Sequence, residues 1–140
     1  MIEVPQTRLR LGASRDLLNI SAVFDAGITA IVDLGIEEPI PALPRQINYC
    51  RFQITDDANN SDKQLAAAIT TIRSLLIADH IVLLCCAAGL SRSIAVASAV
   101  VASVRGCRPD ECLKEIGELK HTDVNPLLWN QIRNVVIPSI

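Results

Sequence analysis

Along this chain of 140 residues, short runs of β-branched residues alternate with longer stretches in which apolar positions recur every three or four residues. Residues 29–34 (TAIVDL) are continuously apolar until the aspartate, the pattern of a strand buried on both faces of a parallel sheet. Residues 81–85 form the most hydrophobic run and predict the central strand. Residues 8–12 predict a short strand, and residues 49–55 (YCRFQIT) alternate as a strand does. Helical patterns lie between these runs. Residues 14–26 place Leu17, Leu18, Val23 and Phe24 on one side and end at Gly27. Ser61, with Gln64 three residues on, reads as a capping box that opens a long helix over 62–78. Residues 91–104 are apolar nearly all round, so this helix is expected inside the molecule, with Gly106 past its end. Pro109 opens another helix, with Asp110 and Glu111 in the first turn where they suit its dipole. Asn125 and Pro126 read as N-cap and first helical residue of a helix over 127–136. The proline-rich residues 37–45 and the stretch 56–60 (DDANN) read as loops. The sum predicts an α/β fold. A central, mostly parallel sheet of four to five strands is flanked by about five helices, in one domain over 1–140.

Composition narrows the function classes. Half the residues are hydrophobic and 20% are charged, an ordinary globular balance. The net charge is −2 and the aromatic fraction 3%, so neither a basic surface for nucleic acid nor a base-stacking platform is expected. No apolar run approaches the roughly 20 residues a membrane span needs, and the first twelve residues lack the apolar core of a signal peptide. A cytoplasmic protein is the expectation. Five cysteines, an odd number without framework spacing, then read as thiols. No cysteine pair stands at metal-ligand spacing from His80 or His121, so no metal site is expected. Cys107 and Cys112 read as ordinary surface or core thiols.

The chemistry concentrates where the central strand meets the apolar helix, in CAAGLSR, residues 86–92. In open α/β sheets ligands bind at the carboxyl ends of strands. The small residues Ala87, Ala88 and Gly89 leave backbone N–H groups free to point inward, and the following helix offers its positive end to the same place. Arg92 sits in the first turn of that helix, where a cation is disfavoured unless it has an anion to hold. Its planar fork matches phosphate oxygens. Backbone donors, helix end and arginine all favour Cys86 as thiolate, a nucleophile poised beside a bound phosphate. Ser91 and Ser93 flank Arg92, and either hydroxyl is placed to stabilise a departing thiolate.

CAAGLSRS resembles the signature loop, C-x5-R-S, of cysteine-dependent protein phosphatases, and the AAGLSRS variant is most similar to the small atypical dual-specificity phosphatases. RLRLG, GITAIVDL, YCRFQITDD and VNPLLWNQI resemble, in order, that family's first strand, its next strand, its general-acid strand and loop, and its final helix. The resemblance implies hydrolysis of phosphate monoesters on proteins, phosphotyrosine and phosphoserine or phosphothreonine alike, through a phosphocysteine. It implies Cys86 as nucleophile and Arg92 as holder of the phosphoryl oxygens and their transition-state charge. It implies the backbone of Ala87, Ala88, Gly89, Leu90, Ser91 and Arg92 as the phosphate cradle, and Ser93 as the assistant in phosphoenzyme hydrolysis. It places the general acid at Asp56, with Asp57 the runner-up one residue along. No cofactor or metal is implied, and the expected partner is a phosphorylated protein.

One position departs from the family. Where it carries histidine before the nucleophile, this chain has Cys85, which bears on how well the thiolate is held and on rate rather than on the reacting groups. Adjacent cysteines make a strained disulfide, so Cys85 and Cys86 are not expected to pair. The loop holds no lysine, and the neutral rim of Ala87, Ala88 and Leu90 suits a monoester on a protein rather than a substrate with several phosphates. The alternatives are a phosphate-binding, non-catalytic module, and a sulfurtransferase or arsenate reductase. Rhodanese-type loops typically have four residues between Cys and Arg, where this loop has five. Arsenate reductases related to low-molecular-weight phosphatases place the loop near the N-terminus.

Overall fold

The computed structural model describes residues 1–135. A five-stranded sheet runs in the order β1-β2-β5-β3-β4, from β1 (Ile2–Glu3), β2 (Leu9–Ala13), β3 (Ala30–Asp33), β4 (Asn48–Arg51) and β5 (Val82–Cys86). All neighbouring pairs are parallel except β1 with β2. The run predicted to be central is indeed central: β5 lies between β2 and β3, with Leu84 opposite Leu11 on one side and Val32 on the other. Five helices accompany the sheet, namely α1 (Ile20–Asp25), α2 (Asp62–Ile77), α3 (Arg92–Arg105), α4 (Pro109–Gly117) and α5 (Pro126–Arg133).

Strand alternation sorts the side chains onto two faces. Leu9, Leu11, Val32, Val82, Leu84 and Cys86 face the larger core, which holds Leu65, Ile69 and Ile72 of α2 and Ile94, Val96 and Val100 of α3. Ile31, Leu83 and Cys85 face the smaller one, with Leu17, Val23 and Ile47. Each fully buried Leu or Ile contributes roughly 1.5–3 kcal/mol of transfer free energy. Helix α3 lies inside the molecule, as its all-round apolarity predicts. Ser98 is fully buried there because its hydroxyl donates to Ile94 O, one turn back, at 2.8 Å. Gly106 ends α3 in the left-handed conformation at φ +72°.

Several boundaries differ from the sequence reading. The helix expected over 14–26 is two pieces, a 3-10 turn (Ser14–Leu18) and α1. Asn19 breaks it because its side chain accepts from Ala22 N at 3.1 Å and so caps a new helix. Leu17 and Val23 are buried, whereas Leu18 is 82% and Phe24 45% exposed, since the break turns them away from the sheet. The strand expected over 49–55 stops at Arg51. Its one neighbour among the described residues, β3, ends at Asp33, whose carbonyl accepts from Phe52 N at 3.1 Å as the last rung. The capping box is half made: Ser61 Oγ accepts from Gln64 N. The two-residue β1 was not expected at all. Asn125 caps α5 as expected, accepting from Leu127 N and Leu128 N, but the helix expected over 127–136 already ends at Arg133, with Asn134 as its C-cap; residue 136 itself lies outside the described residues. Among the described residues no helix is long and apolar enough to cross a membrane.

Candidate active site

The carboxyl end of β5 delivers Cys86 to the floor of a cavity of about 190 Å³, lined by Asp56, Cys86, Ala87, Ala88, Leu90, Ser91, Arg92 and Asp123. Cys86 itself is only 2% exposed. Gly89 turns the loop at φ +73°, and a Cβ there would stand 2.9 Å from Gly12 O, so this position needs glycine for both conformation and space. Among the described residues, no acceptor meets the backbone N–H of any residue from Ala87 to Arg92. Such a row of small-residue donors at a helix start is an anion cradle.

Ser91 precedes α3 but does not cap it. A serine at this position ordinarily accepts from the first-turn N–H groups. Here no side-chain cap forms. The Ser91 hydroxyl instead donates to Asp56 Oδ1 at 2.6 Å and accepts from Asn125 N at 2.9 Å. Ser93, fully buried, lies with its Oγ 3.3 Å from Cys86 Sγ. The two serines are thus distinguished: Ser93 is the hydroxyl beside the sulfur, and Ser91 orients the aspartate.

The two candidate acids are distinguished as well. Asp56 lines the cavity with Cys86, and its carbonyl accepts from Asn125 Nδ2 at 2.7 Å. Asp57 points away. Its Oδ1 accepts from Thr55 Oγ1 at 2.7 Å and from Asn59 N at 2.9 Å, closing the DDANN turn. Those bonds hold its carboxyl below the usual range, the opposite of what a proton donor near neutral pH requires.

Arg92 is held by groups far apart in sequence. Its Nη1 donates to Leu34 O at 3.1 Å, to Ile54 O at 3.2 Å and to Glu37 Oε2 at 3.0 Å, while Nη2 donates to Glu37 Oε1. The ion pair holds the Glu37 carboxyl below the ordinary carboxylate range. Glu37 escaped the sequence reading because it sits in a proline-rich loop with no periodic signal. Lys120 escaped it too. From the segment after α4 its Nζ donates to Gly89 O at 2.8 Å, so the rim is not neutral: tertiary structure brings to the loop a cation its sequence lacks.

Cys85 points to the opposite face. Its Sγ lies 3.8 Å from Asp33 Oδ1, and burial, reinforced by Asp33, pushes its thiol up. Asp33 is buried and satisfied by Gly35 N at 2.8 Å and by the Tyr49 hydroxyl at 2.6 Å. Cys85 therefore remains a neutral thiol under the loop. Tyr49 anchors this network through its hydroxyl. A larger cavity of about 510 Å³ lies near Gln6, Arg8 and Arg105, and no cysteine lines it.

No protein-family model matches the sequence, and no curated protein matches it. Solved structures match its fold. Human DUSP28 superposes with a TM-score of 0.82 at 23% identity, over 92% of this chain and 91% of that one. DUSP15 does so with a TM-score of 0.78 at 24% identity, over 94% and 84%. A human tyrosine phosphatase-like serine/threonine/tyrosine-interacting protein gives 0.77 at 22%, over 89% and 88%. The chain has the fold of the dual-specificity phosphatases, as the motifs of its sequence led one to expect.

Proposed function

We propose that the chain is a single catalytic domain that hydrolyses phosphate monoesters on proteins, with Cys86 as nucleophile. The observation that carries this reading is one cavity lined by Cys86, Arg92 and Asp56, over a loop whose backbone donors have no acceptor among the described residues. The phosphoryl group lies in the cradle, its oxygens held by Arg92 and the N–H groups of Ala87 to Arg92. Cys86 Sγ attacks phosphorus, the bond to the leaving oxygen breaks, and Asp56 supplies that oxygen's proton. Water then cleaves the phosphocysteine. Asp56 takes up the water's proton, and Ser93 Oγ donates to the sulfur as it leaves as thiolate. No step draws on a metal or cofactor, because arginine and backbone supply the positive charge.

A pH–rate profile on phenyl phosphate, whose poor leaving group needs a proton, tests the acid. A general acid works protonated, so the rate falls as pH rises through its pKa. Asp56→Asn is expected to erase that falling limb and to slow turnover by about 10²-fold or more. Asp57→Asn should keep the wild-type profile. The reverse outcome reassigns the acid, and two unchanged profiles overturn the reading of the loop. A protein that binds vanadate but turns over no aryl phosphate would be the non-catalytic module instead.

Glu37 acts as a positioning residue through Arg92. Glu37→Gln is expected to lower kcat/KM about tenfold while Tm moves by no more than about 2 °C, since an exposed ion pair contributes little to stability. The pair is complete above the ordinary glutamate range and is lost only as pH falls through the lowered Glu37 value, so acid weakens this contact and neutral pH does not. A Tm drop without a kinetic change would make Glu37 purely structural.

A further inference from the structure

Three of the five cysteines, Cys50, Cys107 and Cys112, are unaccounted for by the site. Cys107 and Cys112 are both free thiols, and their Sγ atoms lie 2.6 Å apart. The backbone fixes this juxtaposition. Gly106 N and Cys107 N both donate to Ala102 O, at 2.8 and 3.1 Å, pinning Cys107 to the end of α3. Cys112 lies on the inward face of α4, 1% exposed within the main core. Cys107 is half-buried and so is the sulfur that a small solute reaches first.

We propose that Cys107 and Cys112 form an oxidisable dithiol, a modification site separate from Cys86, which hydrogen peroxide converts to an intramolecular disulfide. Cys107 thiolate attacks one peroxide oxygen. The O–O bond breaks, and the departing hydroxide takes up a proton to become water, leaving Cys107 as a sulfenic acid. The Cys112 sulfur then attacks the Cys107 sulfur. The S–O bond breaks, and the hydroxyl leaves as a second water with the Cys112 proton. Two thiols and one peroxide give one disulfide and two waters; the sulfurs are oxidised and the peroxide oxygens reduced. The order of attack follows from environment. Burial and the neighbouring sulfur push the Cys112 thiol up to about 12, which keeps it protonated and leaves it the resolving partner.

The bridge would tie α3 to α4 at the base of the segment that clasps the phosphate loop. That segment contributes Lys120 to Gly89 O, Asp123 N to Leu90 O at 2.9 Å and Asn125 N to Ser91 Oγ. Its expected effect is on stability, by constraining the unfolded chain, rather than on the reacting groups.

Mass spectrometry provides the test. A Cys86→Ser background removes the thiol at the cavity. The protein is treated with hydrogen peroxide, alkylated and cut with trypsin. Residues 106–114 stay in one peptide, because Arg108 precedes Pro109 and resists cleavage. The expected peptide is lighter by two hydrogens and unalkylated, and Tm rises by roughly 5 °C until dithiothreitol is added. In Cys112→Ala the rise is lost and Cys107 proceeds to sulfinic acid. A wild-type peptide that accumulates sulfinic acid at Cys107 while Cys112 is still alkylated, or that is alkylated at both, overturns the proposal. This readout needs no turnover, so it stands apart from the fate of the phosphatase reading.

Discussion

Cys86→Ser is expected to reduce turnover of phenyl phosphate by at least about 10³-fold, some 4 kcal/mol of transition-state stabilisation. The attacking group must carry a lone pair at neutral pH. A thiol can be held as thiolate beside an arginine and a row of N–H donors, whereas a serine hydroxyl cannot be ionised there. The substitution replaces one small buried atom by another at the same place, next to Ser93 Oγ, so fold and cradle should survive. Affinity for a phosphotyrosine peptide, measured calorimetrically on the variant, should therefore stay within a few-fold of wild type. Loss of turnover with binding retained is the predicted signature. Full activity in Cys86→Ser would sink the mechanism, and loss of both binding and a cooperative melt would show that the cysteine was structural.

Arg92→Lys carries the second largest effect, a fall of about 10²–10³-fold in kcat/KM. Lysine keeps the charge but not the planar fork. In the protein that fork does two jobs. The fork is braced by Glu37 and by the carbonyls of Leu34 and Ile54, and on the proposed reading its remaining N–H groups meet the phosphoryl oxygens. A single ammonium cannot satisfy all of these. Two carbonyls losing a charged donor should also cost about 1–3 kcal/mol, a Tm decrease of several degrees. Steady-state kinetics on phenyl phosphate, paired with a thermal melt, separates the two losses: the kinetic one should greatly exceed what the melt explains. If Arg92→Lys turned over within threefold of wild type, arginine would not be the transition-state clamp.

The resemblance to a family with histidine before its nucleophile gains a physical reading from Cys85. Strand alternation sends neighbours to opposite faces, so Cys86 meets the cavity and Cys85 meets Asp33. Cys85, on the far face, bears on Cys86 through the backbone, through charge and through the network beneath the loop. In this protein that network is Cys85, Asp33 and Tyr49, with Asp33 also receiving Gly35 N.

Much of the fold was legible because it follows local periodicity. The β-branched run that became β3, the apolar run that became β5 and the all-round apolar α3 each carry their burial in their own composition. Errors fell where a local rule met a tertiary limit. Asn19 capped a second helix inside a continuous helical pattern, and β4 stopped where its partner stopped. Glycine at 89 and 106 was readable as a turn signal, and both take φ near +70°.

The candidate site divides in the same way. Cys86, the small residues after it and Arg92 are close in sequence, and strand, loop and helix are local structures, so their convergence could be read without coordinates. Sequence by itself determined that loop and the α/β class around it. Only the tertiary structure decided which aspartate faces the cavity, which serine neighbours the sulfur, that Glu37 braces Arg92, that Lys120 reaches Gly89 and that Cys107 touches Cys112. Most of those contacts join residues tens of positions apart. A one-residue change in where a loop leaves its strand exchanges Asp56 for Asp57, and no periodicity encodes that; packing of the whole chain does.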